Sequence, residues 1–197
     1  MSLALDEMRD ASDEDLLLAY AGGDRAAARA LTLRLTPRVL GQASRLLGDR
    51  AEAEDVAQEA LLRLWRFAPA YRPEEARVST WLYRVVANLC TDRLRRRQRR
   101  PALALDTVPE PPDGGAGAAR QMLDRDRMAA LRAALADLPE RQRQAVVLRH
   151  LEGLGNPEIA EIMEISARAV ESLTARGKRA LAASLAGRRG ELGYDDE

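Results

Sequence analysis

Cysteine and histidine are nearly absent from this chain. Cys90 is the single thiol and His150 the single imidazole among 197 residues. One cysteine excludes an intrachain disulfide, and one Cys with one His cannot assemble a Cys/His zinc site. Aromatic residues make up only 4% of the sequence. Valine and isoleucine are sparse and no run alternates with period two, so strands are not expected. No apolar stretch reaches the roughly 18 residues needed to cross a bilayer. The N-terminus, MSLALDEMRD, is acidic and lacks a long apolar run, so neither a secretory signal nor membrane insertion is expected. The expectation is a cytoplasmic protein. No nucleophile–base pair, metal cluster or phosphate loop stands out, which argues against an enzyme and against any cofactor.

Alanine, leucine, arginine and glutamate dominate instead. That composition favours an all-helical protein. The formal net charge is zero, yet the charges are segregated. Residues 1–75 carry a net of −4, residues 76–101 a net of +7, residues 102–140 a net of −3, residues 141–190 a net of +4, and residues 191–197 a net of −4. Two basic islands in an otherwise acidic chain point to two anion-binding surfaces. The first holds RLRRRQRR at 93–100.

The segment 101–119, PALALDTVPEPPDGGAGAA, breaks the helical pattern with four prolines and three glycines. It divides the chain into a helical domain at 10–100, a flexible linker at 101–119, a second helical domain at 120–187, and an acidic tail at 188–197. The extended linker would reach on the order of 60 Å, so the domains need not touch. In the first domain, Ser12 followed by Asp15 is a capping signal, and apolar residues recur through Ala27, Leu31 and Leu35. Pro37 is expected to open the next helix, which runs to Gly48. A third helix is expected at 51–67, with Leu61, Leu64 and Trp65 in its core face. A loop follows at 69–78, and Ser79 or Thr80 is expected to cap a long helix ending near Arg99.

In the second domain, Leu123, Met128, Leu131, Leu135 and Leu138 mark a helix that stops at Pro139. Residues 140–150 form another helix, broken by Gly153 and Gly155. Asn156 is expected to cap the next helix, with Pro157 as its first residue. Ser166 is expected to cap the last helix, from Ala167 to about Leu185. Ile159, Ala160, Ile162, Met163, Ile165, Val170 and Leu173 fall where two short helices would pack on each other, the pattern of a helix-turn-helix. Cys90 reads as a small buried apolar residue.

Three segments now carry a resemblance: AEDVAQEALLRLWR at 53–66, STWLYRVVANLCTDRLRRRQRR at 79–100, and LPERQRQAVVLRHLEGLGNPEIAEIMEISARAVESLTARGKRAL at 138–181. In order, spacing and the position of the linker they resemble the extracytoplasmic-function sigma factors of bacterial RNA polymerase. The resemblance implies a two-domain promoter-specificity subunit without catalysis of its own. Its implied partners are core RNA polymerase, promoter DNA and an anti-sigma protein.

The resemblance also assigns residues. Asp55, Gln58, Glu59, Leu62 and Arg66 share one helix flank and would dock on core polymerase. Tyr71, Trp81 and Tyr83 border the loop at which an unstacked −10 base would be captured. Asn88 and Asp92 could bond base edges there, and Arg84, Arg96 and Arg97 would hold phosphates. For the −35 element, Ser166 and the outward residues Arg168, Glu171, Ser172, Ala175 and Arg176 would face the major groove. Arg168, Lys178, Arg179 and Arg149 would hold phosphates, with Arg141 and Arg143 as further candidates. Arg176 suits a guanine and Glu171 a cytosine amino group.

The chain departs from the family pattern at three places. Glu164 stands in the turn where a small residue is usual, GLGN replaces a Gly-Leu-Ser-Tyr type of run, and Glu171 stands where a basic residue is frequent. An alternative function remains at this point, a helix-turn-helix transcriptional regulator that does not bind core polymerase. It would account for the second domain but not for 53–66 or 79–100.

Overall fold

The computed structural model describes residues 10–74, 76–99 and 118–188. The interior of the linker and the end of the acidic tail lie outside the described residues. Among the described residues every regular element is a helix, and none is long and apolar enough to cross a membrane.

Helix α1 spans Asp13–Ala21. Its capping box forms as the sequence predicts: the Ser12 hydroxyl accepts from the Asp15 N–H at 3.0 Å, and the Asp15 carboxylate accepts from the Ser12 N–H at 3.3 Å. Helix α2 spans Arg25–Leu47. Asp24 caps it through the N–H groups of Ala26 and Ala27, and Gly48 ends it in the left-handed region at φ 71°.

Pro37 does not open a helix. It lies inside α2, which runs through it unbroken. Proline deletes the hydrogen bond to the carbonyl of Leu33, a residue on the exposed side of the helix. Burial of Leu31, Leu35, Val39 and Ala43 on both sides of Pro37 outweighs that loss.

Helix α3 spans Arg50–Phe67, capped by the Asp49 carboxylate on the Glu52 N–H at 3.0 Å. A 3-10 turn, Ala68–Ala70, leads into the loop before α4, Val78–Arg99. Neither Ser79 nor Thr80 caps α4, because both lie inside its first turn. The cap comes from another element: the Glu14 carboxylate of α1 accepts the Val78 N–H at 3.0 Å. Helices α1 to α4 close around Leu16, Leu17, Leu31, Leu35, Val56, Leu64 and Val86, all essentially free of solvent. Cys90 is buried among them, and burial pushes its thiol up to about 12.

The second half holds α5 (Ala118–Ala136), α6 (Glu140–Val146), α7 (Asn156–Met163) and α8 (Ala167–Ala186). The expected helix at 140–150 is α-helical only to Val146. It continues as a π-helical turn, Val147–Leu151. Asn156 is the first residue of α7 rather than its cap. Gly155 occupies the cap, and its N–H donates to the Glu158 carboxylate at 2.9 Å. Helices α7 and α8 pack through Ile159, Ile162, Met163 and Val170, with Ala160, Ile165 and Leu173 at the rim. Gly177 lets α6 cross α8 closely, since a Cβ there would lie 2.5 Å from Val146 Cγ2.

The two halves touch. Leu135, Leu138, Val146 and Val147 belong to the same buried cluster as α1 to α4. Tyr83 of α4 packs in turn against the α7–α8 cluster.

Candidate nucleic-acid and polymerase interface

Three surfaces carry the expected site residues. The first is one flank of α3. Asp55, Gln58 and Arg66 are exposed there, Leu62 keeps 47% of its surface in water, and Glu59 is half-buried beside them. Glu59 pairs with Arg63 one turn on, an exposed pair of little energetic weight. Leu61 and Leu64 point the other way into the core, and Trp65 packs edge-on against Tyr20 at 4.9 Å. An exposed leucine set among carboxylate, amide and guanidinium groups suits a partner protein with a mixed surface.

The second surface is α4 with the loop before it. Asn88, Asp92 and Arg96 are exposed. Trp81 is half-buried and stacks on Phe67, with centroids 4.7 Å apart and planes 3° from parallel. Other residues of the set have partners within the chain, some of them at the surface. Tyr71 is buried, its hydroxyl donates to the Ala76 carbonyl at 3.0 Å, and burial raises its pKa. Arg97 donates to Glu52 Oε1 at 2.9 Å, to Asp49 Oδ2 at 3.1 Å and to the Leu47 carbonyl at 3.3 Å. It ties the end of α2 to the start of α3, where a cation complements both the free carbonyls and the acidic first turn of α3. Arg84 reaches Glu164 at 3.5 Å.

Tyr83 donates to Glu152 Oε2 at 3.2 Å, and Arg45 takes the other carboxylate oxygen at 2.5 Å. Burial first, and then Glu152, push the Tyr83 phenol up to about 12. Glu152 and Arg45 join the two halves, and nothing in local sequence spacing marks them. A separation of 107 residues carries no periodic signal.

The third surface is the outward face of α8. Ser166 caps the helix as expected, its hydroxyl accepting from the Ala169 N–H at 3.2 Å. Arg168, Glu171, Ser172, Ala175, Arg176, Lys178 and Arg179 are all exposed. Arg176 lies along its own helix, donating to the Ser172 carbonyl at 3.2 Å. The turn between α7 and α8 places Glu164 at φ 53°, ψ 49°, the one non-glycine residue at positive φ among the described residues. A side chain in the left-handed region carries backbone strain, which is why a small residue is usual in this turn.

Arg149 is exposed and donates to the Leu154 carbonyl at 2.9 Å. Arg143, a further phosphate candidate, is instead buried. It donates to the carbonyls of Leu46, Ala136 and Leu138, and desolvation lowers its pKa. Three carbonyls converging on one guanidinium make its burial tolerable and leave no donor fork for DNA.

Between α4 and the second half lies a polar cleft of about 340 Å³. Asn88, Asp92 and Arg95 form one wall, and Glu140, Arg141 and Gln144 the other.

Comparison with known proteins matches these halves separately. The family profile Sigma-70 region 2 matches residues 31–100, and Sigma-70, region 4 matches residues 128–181. The chain is 36% identical over 172 residues to the ECF RNA polymerase sigma factor SigM of Mycobacterium tuberculosis, covering 87% of this chain and 83% of that protein. It is 32% identical over 178 residues to the RNA polymerase sigma-H factor of Pseudomonas aeruginosa, covering 86% and 91% of the two chains. Among solved structures, CnrH in complex with the cytosolic domain of CnrY superposes with a TM-score of 0.65 at 26% identity, covering 89% of this chain and 97% of that one. The sigma factor RpoE in complex with the anti-sigma factor NepR from Bartonella quintana shares the fold, with a TM-score of 0.60 at 21% identity over 78% of this chain and 93% of that one.

Proposed function

Because the chain belongs to the extracytoplasmic-function sigma factors, which direct core RNA polymerase to promoters and start transcription, we propose a specific division of labour among its surfaces. The first domain, 10–100, binds core polymerase through the α3 flank of Asp55, Gln58, Glu59, Leu62 and Arg66. It reads and opens the −10 region with α4 and the loop before it. Asn88 and Asp92 bond base edges and Arg96 holds phosphate. Trp81, half-buried against Phe67, borders the place where an unstacked base is held, while Tyr71 and Arg97 serve the fold. The second domain, 120–187, reads the −35 element with the outward face of α8, and the linker 101–119 joins the two. The family consists of initiation factors without catalysis of their own, and this chain works in that way on polymerase in the bacterial cytoplasm.

The observation that carries the reading is the α8 face: seven adjacent side chains exposed behind a serine-capped turn, four of them cationic. A helix so presented fits the major groove. The −10 and −35 elements lie some 25 base pairs apart by definition, on the order of 85 Å at 3.4 Å per base pair. The docked halves cannot serve both, so the contacts around Glu152 break when the chain engages a promoter.

An anti-sigma protein is the expected inhibitor. Support comes from the fold shared with a sigma factor solved in complex with its anti-sigma partner. The deciding experiment mixes the chain with core polymerase and follows co-elution on gel filtration, then run-off transcription on a promoter library. Co-elution with promoter-specific transcripts is expected. Absence of co-elution when no inhibitor is present would sink the sigma reading and favour a free-standing regulator.

A further inference from the structure

We propose that Asn156 and Glu171 form one base-selecting unit, in which Asn156 positions the Glu171 carboxylate to accept a hydrogen bond from the exocyclic amino group of a cytosine in the −35 element. The inference rests on the reading of α8 as the major-groove helix and adds to it a residue from a different helix.

Glu171 stands in the exposed α8 face between Arg168 and Ser172. Among the described residues no arginine or lysine makes an ion pair with it. Arg176, the nearest large cation further along the face, is turned onto the Ser172 carbonyl. The group that does meet Glu171 is neutral. Asn156, the half-buried first residue of α7, donates from its side-chain amide to Glu171 Oε1 at 3.4 Å. A carboxylate only accepts, so the amide must turn its NH2 toward Glu171, which fixes its orientation. One carboxylate oxygen is thereby held while the other stays free.

An uncompensated carboxylate on a DNA-facing helix is repelled by phosphates and by every base-edge acceptor. In the major groove the only donors are the amino groups of cytosine and adenine, whereas guanine and thymine present acceptors. Adenine places the N7 lone pair beside its amino group, where a second carboxylate oxygen meets repulsion, and cytosine does not. Glu171 thus selects by rejecting three bases as much as by accepting one. The basic residues around it supply general attraction to the backbone and leave this position free to discriminate. Asn156 never needs to touch DNA. It limits the rotamers of a long flexible side chain, so less freedom is lost when the base is bound.

The test is run-off transcription by holoenzyme, assembled from core polymerase and the full chain, on templates randomised through the −35 element. Wild type is expected to prefer cytosine at one position at least tenfold over guanine. Glu171→Ala is expected to erase the preference at that position and leave the others intact. Asn156→Ala is expected to weaken the same preference several-fold with thermal stability unchanged, and the double variant to match Glu171→Ala alone. Preference for any base other than cytosine at the Glu171-dependent position overturns the proposal. So does an Asn156→Ala variant that alters total output but no single base preference. A wild-type holoenzyme that initiates from promoters yet ignores the −35 sequence altogether would instead remove the major-groove reading of α8, and this proposal with it.

Discussion

The Arg45 guanidinium and the Glu152 carboxylate meet at 2.5 Å across the contact between the two helical halves. The Glu152 side chain retains only 6% of its exposure, and Tyr83 occupies its second oxygen. A carboxylate so desolvated is tolerable only while both partners stay in place. Arg45 keeps 30% exposure, so the cost of breaking the contact falls at or below the roughly 3 kcal/mol seen at the low end for fully buried pairs. Replacing Glu152 by Ala removes a shared partner from both Arg45 and Tyr83. The expected outcome is separation of the halves in solution, read by small-angle scattering as a radius of gyration above the roughly 16 Å of a compact chain of this length. A wild-type-like radius in Glu152→Ala would show that apolar packing alone holds the halves together.

Tyr83 makes the same contact sensitive to alkali. Its phenol titrates near 10 when free and is pushed up to about 12 in the folded chain, by burial and by the neighbouring Glu152. A raised pKa means the neutral phenol is favoured by the fold. Its contribution is complete below pH 10 and is lost as pH climbs through about 12. An inter-half fluorescence-transfer pair should report steady docking up to pH 10 and progressive loss above it. Tyr83→Phe should be weaker at neutral pH and should lack that alkaline step. An identical alkaline profile in the two proteins would assign the transition to other groups.

Gly177 should resist even one added methyl. A Cβ there lies 2.5 Å from Val146 Cγ2 and 3.3 Å from the Gln142 carbonyl. Overpacking of this kind costs about 1–3 kcal/mol. Alanine recovers up to about 1 kcal/mol through helix propensity. Gly177→Ala should therefore be destabilised by on the order of 1 kcal/mol in thermal unfolding. Adding Val146→Ala frees the crowded spot and should restore part of the loss. A Gly177→Ala protein as stable as wild type would mean that α6 and α8 have room to part.

Arg96 and Arg97 are neighbours in sequence with opposite expected phenotypes. Both are exposed, but Arg97 also holds Asp49, Glu52 and the Leu47 carbonyl. Arg96→Ala should weaken DNA binding alike for all sequences and reduce the salt slope by about one, with unchanged melting. Arg97→Ala should lower the melting temperature of the first domain and leave the salt slope nearly intact. Titrations of promoter and random duplex at several salt concentrations would separate the two. The reverse assignment would make Arg97 the phosphate contact.

Local rules exposed those parts of the molecule in which neighbours in sequence are neighbours in space. The Ser12 and Ser166 caps, the stop at Gly48, the Ile159–Ile162–Val170 core and the outward face of α8 all follow from spacings within one or two turns. Even the strain at Glu164 could be read, because a turn of that kind asks for a residue tolerant of positive φ. Contacts between distant segments were not legible. The Glu14 carboxylate caps a helix 64 residues away, and Arg143 reaches a carbonyl 97 residues away. Pro37 misled for a related reason, since the local preference for a helix start was outvoted by core contacts on both sides. The charge run at 93–100 reads as phosphate-holding throughout, yet Arg97 is tied to Glu52, Asp49 and the Leu47 carbonyl. The capping pattern at Asn156 carries no sign of its contact with Glu171, 15 residues on.

The apolar residues that the second half contributes to the first have a consequence during synthesis. Roughly fifty residues separate Arg99, where α4 ends, from Val147, which completes the shared cluster. At about 5–20 residues per second, the newborn first domain waits on the order of 2–10 s before its own C-terminal half arrives to cover it. For those seconds the α2 and α4 surfaces stand open beside the ribosome. Whatever binds the nascent chain then meets the first domain before its own second half does.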